Sequence, residues 1–194
     1  MGVAVMKKLD WARRCKFLSE YQEFRNNKNE MIIEKDLIKL FALNKISKAE
    51  LLNRYPVDLK EDRKYVLHLL DNAYDDQSEE DLEYALMLLP IDEFAATEKY
   101  ATVLNRLILA DWHCRHEDIA SLLKGIKSPG SVDVLYKAAL AQHDYLDYDD
   151  TYQLARKCIK ALVSIGSDDA IEALRCLSKS ETPEIAAYAQ KELV

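Results

Sequence analysis

An all-α fold, with stacked helical hairpins in its second half, is what this sequence predicts, and three observations predict it. Glycine and proline number four each in 194 residues. Leu, Ala, Lys and Glu are abundant, and no stretch alternates apolar with polar side chains as a half-buried strand would. The chain also repeats itself: Leu123, Ile126, Val132 and Leu135 fall on Leu162, Ile165, Ile171 and Leu174 at one constant offset of 39 positions. Finally, each copy carries a turn between its two helices. Ser128-Pro129-Gly130 divides SLLKGIKSPGSVDVLYKAAL, and Gly166-Ser167-Asp168-Asp169 divides IKALVSIGSDDAIEALRCL. Such residues stop one helix and cap the next. A two-helix unit cannot cover its own apolar face, so self-similar copies stack into a short α-solenoid.

In chain order, residues 9–25 put Trp11, Cys15 and Leu18 on one helical face and Phe17, Tyr21 and Phe24 on the adjoining one. That stripe is wide enough to be packed on two sides. The polar run Asn26 to Asn29 ends it. A second helix, Glu30 to Leu43, gathers Ile33, Leu37, Leu40 and Phe41. A third starts at Ser47, where Glu50 three residues on completes a capping box. It stops at Tyr55, because Pro56 disfavours helical geometry in the residue before it. These segments form a helical N-terminal part, residues 1–60, continuous with a repeat stack over 61–194.

The stack opens with a loose copy of the hairpin, 61–75 and 79–89. Asp58 with Glu61, and Ser78 with Asp81, mark its helix starts. Val66, Leu67, Leu70 and Tyr74 line the first helix, and Met87 in the second is core filling. From Thr97 to Trp112 the spacing of Tyr100, Val103, Leu104, Leu107, Ile108 and Asp111 predicts one long helix. After the first clear hairpin, the link from His143 to Tyr152 is longer than a repeat turn needs. Leu154, Ala155, Cys158 and Leu162 then map onto Ile185, Ala186, Ala189 and Leu193 at an offset of 31, which makes the last helix a cap.

Charge narrows the functional classes. The net charge is −7, unevenly spread: 13 basic and 8 acidic side chains in residues 1–60, 2 and 11 in 61–97, and 12 and 15 in 98–194. An acidic surface repels phosphate backbones, so nucleic acid is not the expected partner and a basic protein is. A DNA-reading helix-turn-helix in residues 1–60 lacks the cluster of Arg, Gln and Asn that such a face requires. No apolar run approaches the ~20 residues that span a bilayer, and Met1 to Met6 carries no signal-peptide pattern. No membrane partner is expected. Cys15, Cys114, Cys158 and Cys176 have no C-x-x-C spacing and read as small buried hydrophobes of a reducing cytoplasm.

The pieces KGIKSPGSVDVLYKAAL and VSIGSDDAIEALRCL are similar to HEAT-type repeats, over about 98–194. WHCRHEDIASLL and YLDYDDTYQLARKCIKAL resemble bacterial HEAT-like proteins, some of which are immunity partners of secreted polymorphic toxins. The resemblance implies a binding protein without catalysis, with an immunity protein that occludes a basic toxin domain as the leading example. A non-catalytic adaptor scaffold is the plainer form of the same reading. A different class is a metal-dependent HEAT-repeat enzyme similar to deoxyhypusine hydroxylase, which holds two irons through several His-Glu pairs.

The residues that bear on these readings are few. His113-x-x-His116-Glu117 places two imidazoles on one helical face beside a carboxylate, a partial metal shell. Only one such pair exists, however. Arg156 and Glu184 stand at the later equivalent positions, so no metal and no cofactor is assigned. The structural reading has His116 capping a helix and Trp112 wedged between repeats. His68, His113, His116 and His143 lie near no Gly-x-Ser-x-Gly turn and no phosphate-gripping glycine loop, so no catalytic residue is assigned either. The partner-binding set is Asp144, Tyr145, Asp147, Tyr148, Asp149 and Asp150, joined by Trp112, His113 and Glu117. Its tyrosines offer rigid anchors and its carboxylates attract Lys or Arg of a partner. Against this stand inward-packed tyrosines, acids that merely solubilise, and Asp149-Asp150 as dipole-favoured caps.

Overall fold

Three helix starts in this chain are set by serine hydroxyls three residues ahead of an amide. In the computed structural model, which describes residues 34–59, 64–89, 98–146 and 150–193, Ser47 Oγ accepts from the Glu50 amide at 3.2 Å while Glu50 accepts from the Ser47 amide at 2.8 Å. That reciprocal box opens one helix, and Tyr55 closes it just before Pro56. Ser78 and Ser167 accept from the amides of Asp81 and Ala170 in the same way. The described residues form ten α-helices and no strand. They are α1 (Glu34–Ala42), α2 (Lys48–Arg54), α3 (Tyr65–Asp76), α4 (Glu79–Leu88), α5 (Glu98–Leu107), α6 (His116–Ile126), α7 (Val132–Leu140), α8 (Gln153–Ile165), α9 (Asp168–Leu177) and α10 (Pro183–Glu192). The expected helix over 9–25, the start at Glu30, the Asp58–Glu61 box, Cys15, Asp147, Tyr148 and Asp149 lie wholly or partly outside the described residues.

Neighbouring helices follow an alternating order in the second half. α6 packs on α8, α8 on α10, and α7 on α9, while α7 and α9 each also pack on α8. Two of the four repeat pairs are buried in both copies, Leu123 with Leu162 and Leu135 with Leu174, whereas Ile126 and Val132 are buried and their counterparts Ile165 and Ile171 are half-buried. The offset of 31 holds less far. Leu154 with Ile185 and Cys158 with Ala189 are buried pairs, but Leu193 is 38% exposed where Leu162 is sealed. In the first half α3 packs on α4 and α5, α1 on α2 and α4, and α5 leads into α6. Lys35 of α1 reaches Asp81 of α4 at 2.7 Å and lies over the Tyr84 ring. The buried apolar side chains form one cluster running from Leu37 to Ala189.

Two expectations are corrected. The long helix predicted to reach Trp112 ends at Leu107. Its apolar spacing continues through Ile108, but the carbonyls of Leu107 and Ala110 are taken by histidine rings rather than by amides four residues on, and residues 108–115 form a loop. The cysteines also divide: Cys158 is buried, whereas Cys114 and Cys176 are exposed thiols. Among the described cysteines only Cys158 fills the core. Its burial pushes the thiol up to about 12, so it stays protonated and inert.

Candidate functional site

Side-chain chemistry concentrates where α6 begins and α7 ends. An antiparallel hairpin returns the chain to its starting end, so the loop before α6 and the link after α7 lie side by side. The loop supplies Trp112 and His113, α6 supplies His116 as its first residue, and the link supplies His143 and Tyr145. The rings form a pile. His113 and His116 are stacked with centroids 4.4 Å apart, His143 lies 3.9 Å from His116 on a tilted plane, and Tyr145 is stacked 5.7 Å from His116. Trp112 meets His113 edge-on at 4.8 Å, and Tyr74 of α3 meets Trp112 edge-on at 6.4 Å. Arg106 covers Tyr74 at 3.9 Å and pairs with Asp71 at 3.1 Å, which anchors this edge of the pile to α3.

Hydrogen bonds fix the tautomers. A carbonyl can only accept, so His113 Nε2–H donates to Leu107 at 2.9 Å, and its Nδ1 accepts the Arg115 amide at 3.0 Å. His116 Nε2–H likewise donates to the Ala110 carbonyl at 2.6 Å, and its Nδ1 accepts the Tyr145 hydroxyl at 2.9 Å. Both rings are therefore neutral, with every nitrogen engaged. Burial reinforces this, since a charged ring would lose its water. It lowers His116 to about 4 and also lowers His113, against the opposing pull of the Leu107 carbonyl and Glu79. Burial lowers His143 as well, against Asp111 and Asp144. Its Nε2 is enclosed without a hydrogen-bond partner among the described residues. Tyr145 is pushed up to about 12, first by burial and then by Cys114 and Glu117.

No family model, curated protein or solved structure matches the chain. The site is therefore read from its own geometry.

Several sequence assignments change meaning here. His113, assigned to the partner-binding set, is only 2% exposed and lies beneath Trp112, out of reach of a docking surface. His116 is not a cap, because Arg115 holds that position without a side-chain hydrogen bond and the His116 ring turns inward. Nor do His113 and His116 form a helical i,i+3 pair, since α6 starts only at His116. Both rings have spent their nitrogens on protein partners, so neither offers a lone pair to a metal. Glu117 is half-buried and bound to Lys157 of α8 at 2.9 Å. Tyr145 turns its hydroxyl inward, while Trp112 is a half-buried wedge between Tyr74 and His113. Asp144 and Asp150 are exposed.

The sequence reading missed His143 as a member of this pile, and it placed Tyr74 on its helix without its contact to Trp112. A signal for His143 was present: three of the chain's four histidines flank the two ends of one hairpin. Beside the link, Leu140, Leu146, Tyr152, Leu154 and Ile185 wall a cavity of about 250 Å³, with Asp150 among its lining residues. Tyr152 adopts a left-handed backbone conformation, φ 51°, at the start of α8. A side chain disfavours that geometry.

Proposed function

We propose that the chain is a non-catalytic, cytoplasmic protein-binding repeat of HEAT type, and that its partner is a basic protein docking on the 141–152 link. The leading example is an immunity protein that occludes a toxin domain. The observation that carries this reading is the cavity beside the link, whose wall combines Leu140, Leu146, Tyr152 and Ile185 with the polar Gln142, Thr182 and Asp150, with exposed Asp144 nearby. Aliphatic and aromatic walls receive the stem of a long basic side chain, and a carboxylate at the edge receives its charge. The alternating contacts of α6, α8 and α10, and of α7 with α9, support a stacked-hairpin architecture. The pile of rings supports recognition too, because it fixes the base of the link. A surface ordered in advance loses less entropy on docking.

The metal-enzyme alternative finds no support in the ligands it would need, since His113 and His116 already serve four protein groups. A general adaptor differs from an immunity protein in its partner rather than its surface. A toxin reading frame beside the gene separates the two. The direct test is capture from the source organism, identification of what co-elutes by mass spectrometry, and titration of that purified protein against wild type and the Asp144→Lys, Asp150→Lys double variant. Reversing both charges is expected to weaken binding at least about tenfold, with most of the loss in association rate at low salt. Unchanged affinity would remove the link as the docking surface.

A further inference from the structure

The pile of rings does more than fill space, because its hydrogen bonds are matched to neutral rings at His113 and His116. His113 and His116 each present Nδ1 to a donor, the Arg115 amide and the Tyr145 hydroxyl. A proton on His113 Nδ1 would point hydrogen at the Arg115 amide hydrogen, and one on His116 Nδ1 would force the Tyr145 hydroxyl to turn from donor to acceptor. His143 alone has a ring nitrogen with no partner among the described residues, and it lies 3.9 Å from His116. We infer that the His113–His116–His143 pile is a proton-operated latch, which holds the 141–146 link against α6 while all three rings are neutral and releases it when His143 takes a proton. This deepens the binding proposal, in that the latch would set the pose of the proposed docking surface.

The charges around the pile decide which ring is protonated and which way it moves. From α4, Glu79 faces His113, and Glu83 is paired with Arg115 at 2.5 Å. The loop before α6 brings Asp111, Cys114 and Arg115. From α6 come Asp118, 4.0 Å from Arg115, and Glu117, held by Lys157 of α8. Cys158 of α8 is a protonated thiol. Both basic groups are thus occupied by carboxylates. Asp111 and Asp144 face His143 and favour its charged form. Asp144 is exposed on the link itself, so an imidazolium at His143 is drawn outward, away from His116. That motion also uncovers the Tyr145 ring and the hydrogen bond it gives to His116. The Leu146 amide donates to the His143 carbonyl at 2.8 Å within the link's own turn, so it reports whether that turn frays once the His143 ring leaves His116.

Two measurements on the full chain, with no partner present, test the latch. Ring-nitrogen NMR follows the three histidines from about pH 7.5 to about pH 4.5, the range of imidazole switching. Hydrogen exchange, corrected for its intrinsic pH dependence, follows the Leu146 amide over the same range. His143 is expected to titrate before His113 and His116. Protection at Leu146 is expected to fall by about tenfold or more with the same midpoint, a factor that corresponds to one unit of pKa, while α9 and α10 keep theirs. Asp144→Asn leaves every ring in place and is expected to move that midpoint to lower pH. His143→Gln, which cannot take the proton, is expected to abolish the step. Constant protection at Leu146, a midpoint that follows another group, an Asp144→Asn midpoint that does not move, or a step that survives in His143→Gln would each overturn the latch. Because no partner is used, these results are independent of whether the docking proposal stands.

Discussion

The connection between α8 and α9 and the one between α7 and α8 join consecutive helices of the second half, yet they are built on different physics. The first is two residues, Gly166 and Ser167. Gly166 takes the left-handed conformation, φ 66°, that ends α8, and its amide donates to Leu162. Ser167 then caps α9. Each interaction lies within four residues in sequence, so the turn carries its own instructions. The link after α7 has little of this kind among its described residues, 141–146 and 150–152. α7 ends with no glycine, α8 starts at Tyr152 with no side-chain cap, and position is held by rings contributed from residues 112–116. The long connection thus depends on tertiary structure where the short one does not. Local failure of one should stay local, and failure of the other should spread.

His116→Ala is the largest test of that difference. It empties the middle of the pile and strands the Ala110 carbonyl and the Tyr145 hydroxyl. A cavity and two unpaired polar groups together should cost roughly 4 kcal/mol. Denaturant unfolding should show that loss. Hydrogen exchange should show it spread over residues 107–115, the link and the first turn of α8. A loss below about 1 kcal/mol, within the range of ordinary surface changes, would mean that the link is held by its own local structure after all.

Acidification should produce a loss of similar kind but somewhat smaller. The folded chain keeps His116 neutral down to about 4, while an unfolded histidine titrates near 6.5. Between those values the unfolded chain binds the extra proton, so stability falls as pH falls. The contribution is complete above about pH 6.5 and is lost by about pH 4, amounting to roughly 3 kcal/mol for this ring. Unfolding free energies measured across that range should show the slope in wild type and a shallower one in His116→Gln, the remainder belonging to His113 and His143, which burial also lowers.

These two regions also explain what the sequence could reveal. Ser47 with Glu50, Ser78 with Asp81, Gly166 and Ser167 were all legible, because a cap and its amide lie within one helical turn of each other. Periodicity placed Leu123, Leu135, Leu162 and Leu174 in the core for the same reason: one face of a helix must be apolar wherever it packs. The histidine site was only half legible. Spacing suggested that His113 and His116 share a helical face, but the chain leaves α5 at Leu107 and re-enters a helix only at His116, so the rings meet through a loop. Which carbonyls they bind, and that His143 and Tyr145 come from across the hairpin, are consequences of packing with no signature in nearby residues. Tyr145 looked like a docking anchor on composition alone, and its hydroxyl is instead spent on His116.

Gly166→Ala tests the local side of the comparison and should cost about 1 kcal/mol, the usual penalty for a side chain in the left-handed region. Space is not the obstacle, since an added Cβ would meet only the Val163 carbonyl at 3.6 Å. Exchange protection should therefore fall at the end of α8 and the start of α9, leaving the histidine pile untouched. If the ring titrations shift in this variant, the two connections are coupled and the division between them fails.

The smallest expected effect belongs to Lys157→Ala. Lys157 and Glu117 bridge α8 and α6, which pack directly on each other, at 2.9 Å. Both side chains keep about a third of their surface in water, 35% and 31%, so solvent screens the attraction and ordering two long side chains offsets much of it. The buried faces of the same helices carry Ile119, Leu123, Cys158 and Leu162 with almost no exposure, and close packing there should dominate. Removing the lysine should change unfolding free energy by about 0.5 kcal/mol, and about 0.5 M salt should erase even that difference. A loss above about 1.5 kcal/mol that persists in salt would assign the α6–α8 register to charge. The pile of rings at the end of α6 would then be held in place by the ion pair beside it rather than by the core beneath.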